Sequence, residues 1–220
     1  MVEHNSVYPE LTDALVDEIA SDLRLHGLSV KEGVFAGVWL EEMRRSMIAA
    51  DPHSFKAAGI GRLDAHHTSS QLRRDRILWI ERSDEACSAW LDWAQSLQSA
   101  LNRRLMLGLF SFESHFAHYS PGAFYKKHKD AFSGQANRVL SVVTYLNSDW
   151  HAADGGELVL YDPQDDSNVL CRVLPKPGTL VVFLSEEFPH EVLPAHRDRY
   201  SIAGWYRVNS SVHHMVDPPA

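Results

Sequence analysis

The chain has 220 residues, 45% of them hydrophobic, which fits one globular domain with a sizeable core. Its formal net charge of −8 argues against nucleic acid as the main partner, because phosphate backbones are bound by basic surfaces. With two cysteines, no evident signal peptide and no apolar run near the roughly 20 residues of a membrane span, the sequence predicts a soluble cytoplasmic protein without a membrane partner.

Three helices are predicted in the first half of the chain. The first ends at Gly27, the second covers residues 38–50, and Ser83 is the expected N-cap of the third. The apolar positions that recur at helical spacing in the first and third helices are Leu15, Ile19, Leu23, Cys87, Trp90, Ala94, Leu97 and Leu101. We expect each helix to bury this stripe against the rest of the domain.

Residues 59–76, between the second and third helices, are polar and contain glycine, which predicts a long mobile loop. The charged residues of this loop make it locally basic on an acidic protein, and they are Arg62, Arg73, Arg74, Arg76, Asp64 and Asp75. Long loops beside active sites often become ordered when a ligand binds, so we interpret this loop as a candidate substrate clamp. A merely solvated loop is the alternative.

After residue 110 the sequence pattern changes. Short runs rich in Val, Tyr, Phe and Leu are separated by turn signals such as Pro121-Gly122 and Pro177-Gly178. Many short strands that follow helices predict an antiparallel sandwich or barrel with the helices packed on one side.

Two histidines and one aspartate form a candidate metal site. His128 and Asp130 are separated by one residue in a segment expected to be extended, so both side chains point to one side of it. His190 follows the apolar run 179–184, which is predicted to be a core strand. Two histidines and one carboxylate hold one face of an Fe(II) ion and leave its other positions open, as in non-haem iron oxygenases.

The His-x-Asp spacing is weak evidence by itself, because about one such pair is expected by chance in a chain with 13 histidines. A second pair, His196 and Asp198, occurs in a His-Arg-Asp tripeptide that is also found in kinase catalytic loops. The chain lacks the Gly-rich phosphate loop and the Asp-Phe-Gly sequence of kinases. We therefore predict that this tripeptide belongs to a solvated loop.

Arg199 opens the segment RYSIAGWYR, in which the period-two rule places Arg199, Ser201, Ala203 and Trp205 on one face. If that face points into a barrel, the guanidinium is placed to bind the far carboxylate of a co-substrate such as 2-oxoglutarate. A surface ion pair is the alternative for Arg199 taken alone.

A series of segments resembles the 2-oxoglutarate- and Fe(II)-dependent prolyl 4-hydroxylases, within them the branch of the animal oxygen-sensing prolyl hydroxylases and their bacterial relatives. These segments are HGLSV (26–30), RRDRILWIE (73–81), YSPGAFYKKHKD (119–130), RVLSVVTYLN (138–147), GGEL (155–158), PKPGTLVVF (175–183) and PHEVLPAHRDRYSIAGWY (189–206). They occur in order along nearly the whole chain, which is far more specific than one His-x-Asp pair.

The resemblance implies an α+β, mainly β fold: a double-stranded β-helix, or jelly roll, with supporting N-terminal helices. It implies a single oxygenase domain over residues 1–220. Within it, residues 1–110 are expected to supply helical support and the substrate loop, and residues 111–210 the β-helix core.

Carried over residue by residue, the resemblance also implies roles for individual side chains. The iron ligands fall on His128, Asp130 and His190. The residues at the co-substrate are Arg199, Tyr145 and Tyr119, although the segment from Tyr119 to His128 is one residue shorter than in the animal branch. The residues around the target proline are Tyr125, Arg138, Trp205 and Trp79, with core packing as the alternative for the aromatic side chains.

By the same resemblance, the chain hydroxylates the 4-position of a prolyl residue in an exposed loop of a protein substrate. It uses Fe(II), 2-oxoglutarate and O2, with ascorbate as a candidate reductant, and oxygen sensing is a role found in this branch. For a bacterial source the family suggests elongation factor Tu as the substrate. The alternatives are the same chemistry on a free amino acid, another small molecule or an alkylated base, and a non-catalytic β-barrel binding module.

Overall fold

The structure, a computed structural model, describes residues 10–57, 71–131 and 137–209. The three predicted helices are present as α1 (Asp13–His26), α2 (Gly37–Ala49) and α3 (Glu85–Leu105). The predicted apolar stripes of α1 and α3 are buried, apart from the half-buried Leu15. Burial of these stripes fixes the helices to the sheet described below.

The ends of two helices have clear local causes. Gly27 ends α1 in the left-handed conformation, at φ 69°, and its N–H donates to the Leu23 carbonyl. The prediction for the start of α3 is wrong by one residue. The Asp84 carboxylate, rather than the Ser83 hydroxyl, accepts the Cys87 N–H at 2.7 Å and caps the helix.

In the described residues, eleven strands form two antiparallel sheets. The strands are β1 (Leu28–Lys31), β2 (Lys56–Ala57), β3 (Arg76–Trp79), β4 (Leu109–Tyr119), β5 (Tyr125–His128), β6 (Arg138–Tyr145), β7 (Leu158–Tyr161), β8 (Val169–Val173), β9 (Leu180–Leu184), β10 (His190–Val192) and β11 (Arg199–Val208). The larger sheet has the order β1-β9-β6-β11-β4-β3-β2, and the smaller has the order β5-β10-β7-β8. This arrangement confirms the predicted double-stranded β-helix with helices on one side.

The larger sheet separates two apolar cores. On its outer face, Leu140 and Val142 of β6 belong to the core that contains helix residues such as Trp90. On its inner face, Tyr145 of β6 belongs to the core shared with Leu160 of the smaller sheet. Because side chains alternate along a strand, each inward position of β6 faces the space between the sheets, where a site can be built.

The expected division of the chain at residue 110 is not sharp. Strand β1 pairs with β9, and strands β2 and β3 extend the larger sheet beyond β4. The first half of the chain therefore supplies strands as well as helices. These strands are two to four residues long, too short for an alternation of apolar and polar residues to be visible in the sequence.

The predicted mobile loop lies mostly outside the described residues, which exclude 58–70. Its last part, residues 71–76, is not a free loop. The Leu72 carbonyl accepts the Lys126 N–H at 2.8 Å, and the Arg74 N–H donates to the Phe124 carbonyl at 2.9 Å. The prediction of mobility is therefore wrong for this part, because its backbone pairs with residues 124–126 at the start of β5.

No helix in the described ranges combines the length and the apolar character needed to cross a membrane. Cys87, which is buried, and Cys171, which is half-buried, are both free thiols.

Candidate active site

The three predicted metal ligands lie together between the sheets. His128 ends β5 and pairs with His190, the first residue of β10, while Asp130 follows two residues after His128. The Nε2 atom of His128 lies 3.5 Å from Asp130 Oδ1, and the Nε2 atom of His190 lies 3.6 Å from Asp130 Oδ2. One ligand atom from each residue lies within 4.8 Å of the other two. Lys129 is exposed, as the extended geometry of the segment requires.

Both imidazoles are oriented by backbone carbonyls. The Nδ1 atom of His128 lies 2.8 Å from the Lys126 carbonyl, and that of His190 lies 3.1 Å from the Phe188 carbonyl. A carbonyl only accepts, so each Nδ1 carries a hydrogen, and Nε2 is the nitrogen through which each ring would bind a metal ion. Two neutral imidazole nitrogens and a carboxylate are the donor set that fits Fe(II) with open positions.

The charge state of the cluster also fits a cation. Burial lowers the pKa of His190 to about 4, so this imidazole stays neutral at physiological pH. For Asp130, burial alone would raise the pKa, but His190, His128 and the Ser141 hydroxyl outweigh it and hold the pKa well below its usual range. An ionised carboxylate beside a neutral imidazole leaves negative charge for a metal ion to balance.

Arg199 forms the second part of the site. Its side chain is 1% exposed, which excludes the surface ion pair considered above. Its Nε donates to the Gly156 carbonyl at 2.9 Å and its Nη1 to the Ser201 hydroxyl at 3.2 Å. Neither acceptor carries a charge. A buried guanidinium with these partners is suited to a ligand carboxylate.

Two tyrosine rings enclose that guanidinium. The Arg199 Cζ atom lies 4.9 Å from the centre of the Tyr119 ring and 5.1 Å from that of Tyr145. The Tyr145 hydroxyl is fully buried and has no hydrogen-bond partner among the described residues. Burial raises the pKa of Tyr145 to about 12, so it is a donor. An unpartnered donor beside a buried cation fits the distal carboxylate of 2-oxoglutarate.

The rim of the site contains Arg138, Trp205 and Trp79. The Arg138 Cζ atom lies 3.6 Å from the centre of the Trp205 ring, and its Nη2 donates to Glu113 Oε1 at 2.8 Å. The Trp205 Nε1 atom is buried without a hydrogen-bond partner in the described part of the chain. Trp79 is 48% exposed, which argues against the core-packing alternative for this residue.

Trp79 also connects the rim to a larger groove. Its ring packs edge-on against His115 at 5.3 Å, and His115 lies 5.4 Å from the Trp205 ring. A groove of about 810 Å³ lies between α2 and strands β2 and β3, and Trp79 is one of the residues that line it. Trp79 is therefore the residue that the rim and this groove have in common.

Tyr125, predicted at the target proline, lies against the metal site. Its ring stacks on His128, with the centroids 3.5 Å apart and the planes at 15°. The Arg73 Cζ atom lies 4.1 Å from the same centroid. Two planar groups at these distances must occupy opposite faces of the ring, so only the edge and the hydroxyl of Tyr125 are available to a ligand. Arg73 is in turn held by Asp75, 2.6 Å away, in a largely buried ion pair.

The second His-x-Asp pair lies on the surface, where its aspartate bonds to another histidine. His196 and Asp198 are exposed, and Asp198 bonds to the His118 ring at 2.7 Å. Arg197 donates to two backbone carbonyls. The tripeptide is part of a surface loop, as predicted.

Sequence reasoning missed several residues of the site, and the period-two rule was the signal that would have found most of them. Ser141 shares the inward face of β6 with Tyr145, and its hydroxyl donates to Asp130 Oδ2 at 2.7 Å. His115 and Glu113 share the inward face of β4 with Tyr119. No local signal points to Ser185, which contacts Ser141 from the turn after β9.

Comparison with known proteins assigns the family. The sequence profile of the 2OG-Fe(II) oxygenase superfamily matches residues 114–207, from within β4 to within β11. The crystal structure of a Pseudomonas putida prolyl-4-hydroxylase is 37% identical in sequence, with a TM-score of 0.79 over 89% of this chain and 100% of that chain. The chain belongs to the 2-oxoglutarate/Fe(II)-dependent prolyl hydroxylase family.

Other prolyl hydroxylases are similar over less of their length or at lower identity. A Trichoplax adhaerens prolyl hydroxylase, solved with a hypoxia inducible factor oxygen degradation domain peptide fragment, is 27% identical with a TM-score of 0.76, over 88% of this chain and 89% of that chain. Human Egl nine homolog 1 is 29% identical over 147 residues, 63% of this chain and 34% of the human protein. The chain therefore spans about a third of the length of this curated relative. These matches confirm the predicted family resemblance.

Proposed function

We propose that this protein is a dioxygenase that uses Fe(II), 2-oxoglutarate and O2 to hydroxylate a prolyl residue of a protein substrate at the 4-position. One observation carries the proposal. Three metal-ligand atoms within 4.8 Å of one another share the inner face of the fold with a buried arginine whose chain partners are uncharged. Ser141, bonded to the ligand Asp130, and Tyr145, beside Arg199, lie on one face of β6.

In this proposal each part of the site has a separate task. His128, Asp130 and His190 would hold the iron. Arg199 and Tyr145 would bind the distal carboxylate of 2-oxoglutarate, and Tyr119 would close that pocket against water. When bound, iron and 2-oxoglutarate supply the oxidising chemistry, with succinate and CO2 as by-products. The chain itself needs no general base, and we assign none.

We propose a protein rather than a free amino acid as the substrate. Trp79 is half-exposed at the rim and lines a groove of about 810 Å³, far larger than one amino acid needs. A family member from Trichoplax adhaerens was solved with a peptide fragment. The rim residues Arg138, Trp205 and Trp79 would orient a proline in an exposed loop of the partner. Elongation factor Tu is the first protein to test if the source is bacterial.

We also propose that the chain acts as one oxygenase domain, since both sheets and all three helices share continuous cores. A cytoplasmic location is supported by the two free thiols. The net charge of −8 disfavours nucleic acid as a partner. Ascorbate is proposed as the reductant that keeps the iron in the Fe(II) state.

The test is turnover in ligand variants. We expect His128→Ala and Asp130→Ala to abolish substrate-dependent succinate formation, because each removes a metal ligand. The matched control is His196→Ala, which alters the exposed His-x-Asp pair and should retain activity. Undiminished turnover in either ligand variant would rule out the iron site.

The substrate class is tested by mass spectrometry. Wild-type enzyme is incubated with elongation factor Tu, with other proline-containing proteins and with free proline, and each is examined for one added oxygen atom. Hydroxylation of free proline alone would replace the protein substrate by a small molecule. Failure to bind Mn(II) or Fe(II) in calorimetry would instead favour a non-catalytic binding module.

A further inference from the structure

Two buried serines lie behind the aspartate of the proposed iron site. Ser141 is 1% exposed and Ser185 is 0% exposed. The Ser141 hydroxyl lies 2.7 Å from Asp130 Oδ2, and the two serine Oγ atoms lie 2.9 Å apart. The three side chains come from separate parts of the fold: the segment after β5, the middle of β6 and the residue after β9.

The direction of each hydrogen bond between Asp130, Ser141 and Ser185 follows from the number of hydrogens that each group can donate. A serine hydroxyl has one hydrogen to donate. An ionised carboxylate only accepts, so Ser141 donates its hydrogen to Asp130. Ser141 then accepts from Ser185, which must donate its own hydrogen in the 2.9 Å contact. Both hydroxyls therefore point in sequence toward one carboxylate oxygen, Oδ2, and aligned hydrogen bonds of this kind strengthen each other.

Backbone hydrogen bonds hold both serines in place. The Ser185 N–H donates to the Val139 carbonyl at 3.0 Å, which ties the residue after β9 to β6. Ser141 itself lies within the paired part of β6, opposite Phe183 of β9 and Trp205 of β11. The paired strands thus fix the backbone positions of both serines, and each hydroxyl is oriented by the hydrogen bonds that link it to Asp130 Oδ2.

Burial on β6 does not by itself give a hydroxyl a hydrogen-bond partner. Thr144, on the opposite face of the same strand, buries its hydroxyl without a hydrogen-bond partner among the described residues. The Ser141–Ser185 pair is therefore a built contact to the carboxylate rather than a general property of polar residues in this sheet.

We propose that Ser141, supported by Ser185, is a positioning residue that restricts Asp130 to one-oxygen ligation of the metal. This inference rests on the proposed iron site. Each carboxylate oxygen lies near one imidazole, Oδ1 at 3.5 Å from His128 Nε2 and Oδ2 at 3.6 Å from His190 Nε2. Only Oδ2 accepts the Ser141 hydrogen bond, so Oδ1 is the oxygen that keeps all its lone pairs for the ion. A carboxylate that bound through both oxygens would occupy a position that the co-substrate and O2 need.

The test compares Mn(II) affinity and the Co(II) visible spectrum in Ser141→Ala, Ser185→Ala and Ser141→Thr. Loss of such a contact to a ligand typically weakens metal binding by roughly 10- to 100-fold, and we expect this for Ser141→Ala. Ser185→Ala should show a smaller loss. Ser141→Thr keeps a hydroxyl and should restore both readouts, while Thr144→Ala, which removes the unpartnered hydroxyl, should match wild type.

The Co(II) spectrum reports the geometry of the metal ligands. A general loss of packing would not alter the spectrum in Ser141→Ala and Ser185→Ala while leaving it unchanged in Ser141→Thr and Thr144→Ala. Wild-type Mn(II) affinity and spectrum in both Ser141→Ala and Ser185→Ala would overturn the inference while leaving the iron site intact. Absence of Mn(II) binding by wild-type protein would instead overturn the proposed function. If Ser141→Ala does not fold, Ser185→Ala decides: an unchanged spectrum in that variant would overturn the inference.

Discussion

Replacing Tyr145 by phenylalanine should have opposite effects on the free protein and on its complex with 2-oxoglutarate. The hydroxyl is fully buried and makes no hydrogen bond within 3.5 Å among the described residues, and the Arg199 guanidinium is its charged neighbour. A buried hydroxyl without a hydrogen bond costs about 1–3 kcal/mol. Removing it should therefore raise the free energy of unfolding of the free protein, by about 1 kcal/mol after some relaxation of the native pocket.

In the complex, the same hydroxyl would donate to a carboxylate beside Arg199. A hydrogen bond to a charged group contributes about 1.5–3 kcal/mol, so its loss should weaken 2-oxoglutarate binding about 10- to 150-fold. The matched control is Tyr206→Phe. Tyr206 is equally buried, but its hydroxyl donates to the Ala94 carbonyl at 2.8 Å on the helix side of the sheet. This variant should lose about 1 kcal/mol of stability and keep its 2-oxoglutarate affinity.

The assay is urea unfolding of both variants, without ligand and with Mn(II) and increasing 2-oxoglutarate. A ligand that binds only the native state stabilises it by an amount that grows with the logarithm of its concentration relative to Kd. If Tyr145→Phe destabilises the free protein as Tyr206→Phe does, the hydroxyl has a partner that the reasoning overlooked. If it binds 2-oxoglutarate as tightly as wild type, Tyr145 does not contact the co-substrate.

Three further predictions concern charge, pH and backbone. Arg199→Lys loses the two-pronged guanidinium, so 2-oxoglutarate affinity should fall at least about tenfold while calorimetry shows unchanged Mn(II) binding. Burial lowers the pKa of His115 to about 4, so the unfolded chain binds a proton that the folded protein does not. Stability should therefore fall as pH drops from about 6.5 to about 4, and His115→Gln should flatten this slope in urea titrations. Gly178→Ala should cost roughly 3 kcal/mol or more in thermal unfolding, because an added Cβ would lie 1.7 Å from the Phe35 carbonyl oxygen; a loss under about 1 kcal/mol would contradict this.

The metal ligands and Arg199 were accessible from the sequence because they lie on local patterns. His128 and Asp130 are two residues apart in an extended segment, and successive side chains of the strand that begins at Arg199 point to opposite faces. Such patterns fix which side chains share a face. They do not fix which faces meet. The convergence of His190 with His128, 62 residues earlier in the sequence, depends on the pairing of β10 with β5.

The residues that were missed depend on contacts between segments. Arg73 and Asp75 were predicted to be charges of a mobile substrate loop, because their positions in sequence show nothing of the Tyr125 ring that contacts the guanidinium. Once residues 72–74 pair with residues 124–126 at the start of β5, the ion pair is buried and its two members bond to each other. Burial of charge is decided here by tertiary pairing, which no local composition reveals.

For Ser141 and Ser185, too, the sequence does not reveal which segments meet. The alternation that identified Tyr145 also places Ser141 on the inward face, so its exposure to the site was predictable. The hydrogen bond that Ser141 makes to Asp130 was not predictable, because a serine in a strand does not by itself indicate a particular partner. Only the approach of Asp130 from the segment after β5, and of Ser185 from the end of β9, turns the hydroxyl into a donor aimed at one oxygen. The ligands of such a site can thus be read from sequence, whereas the contacts that set their geometry arise where three separate segments meet.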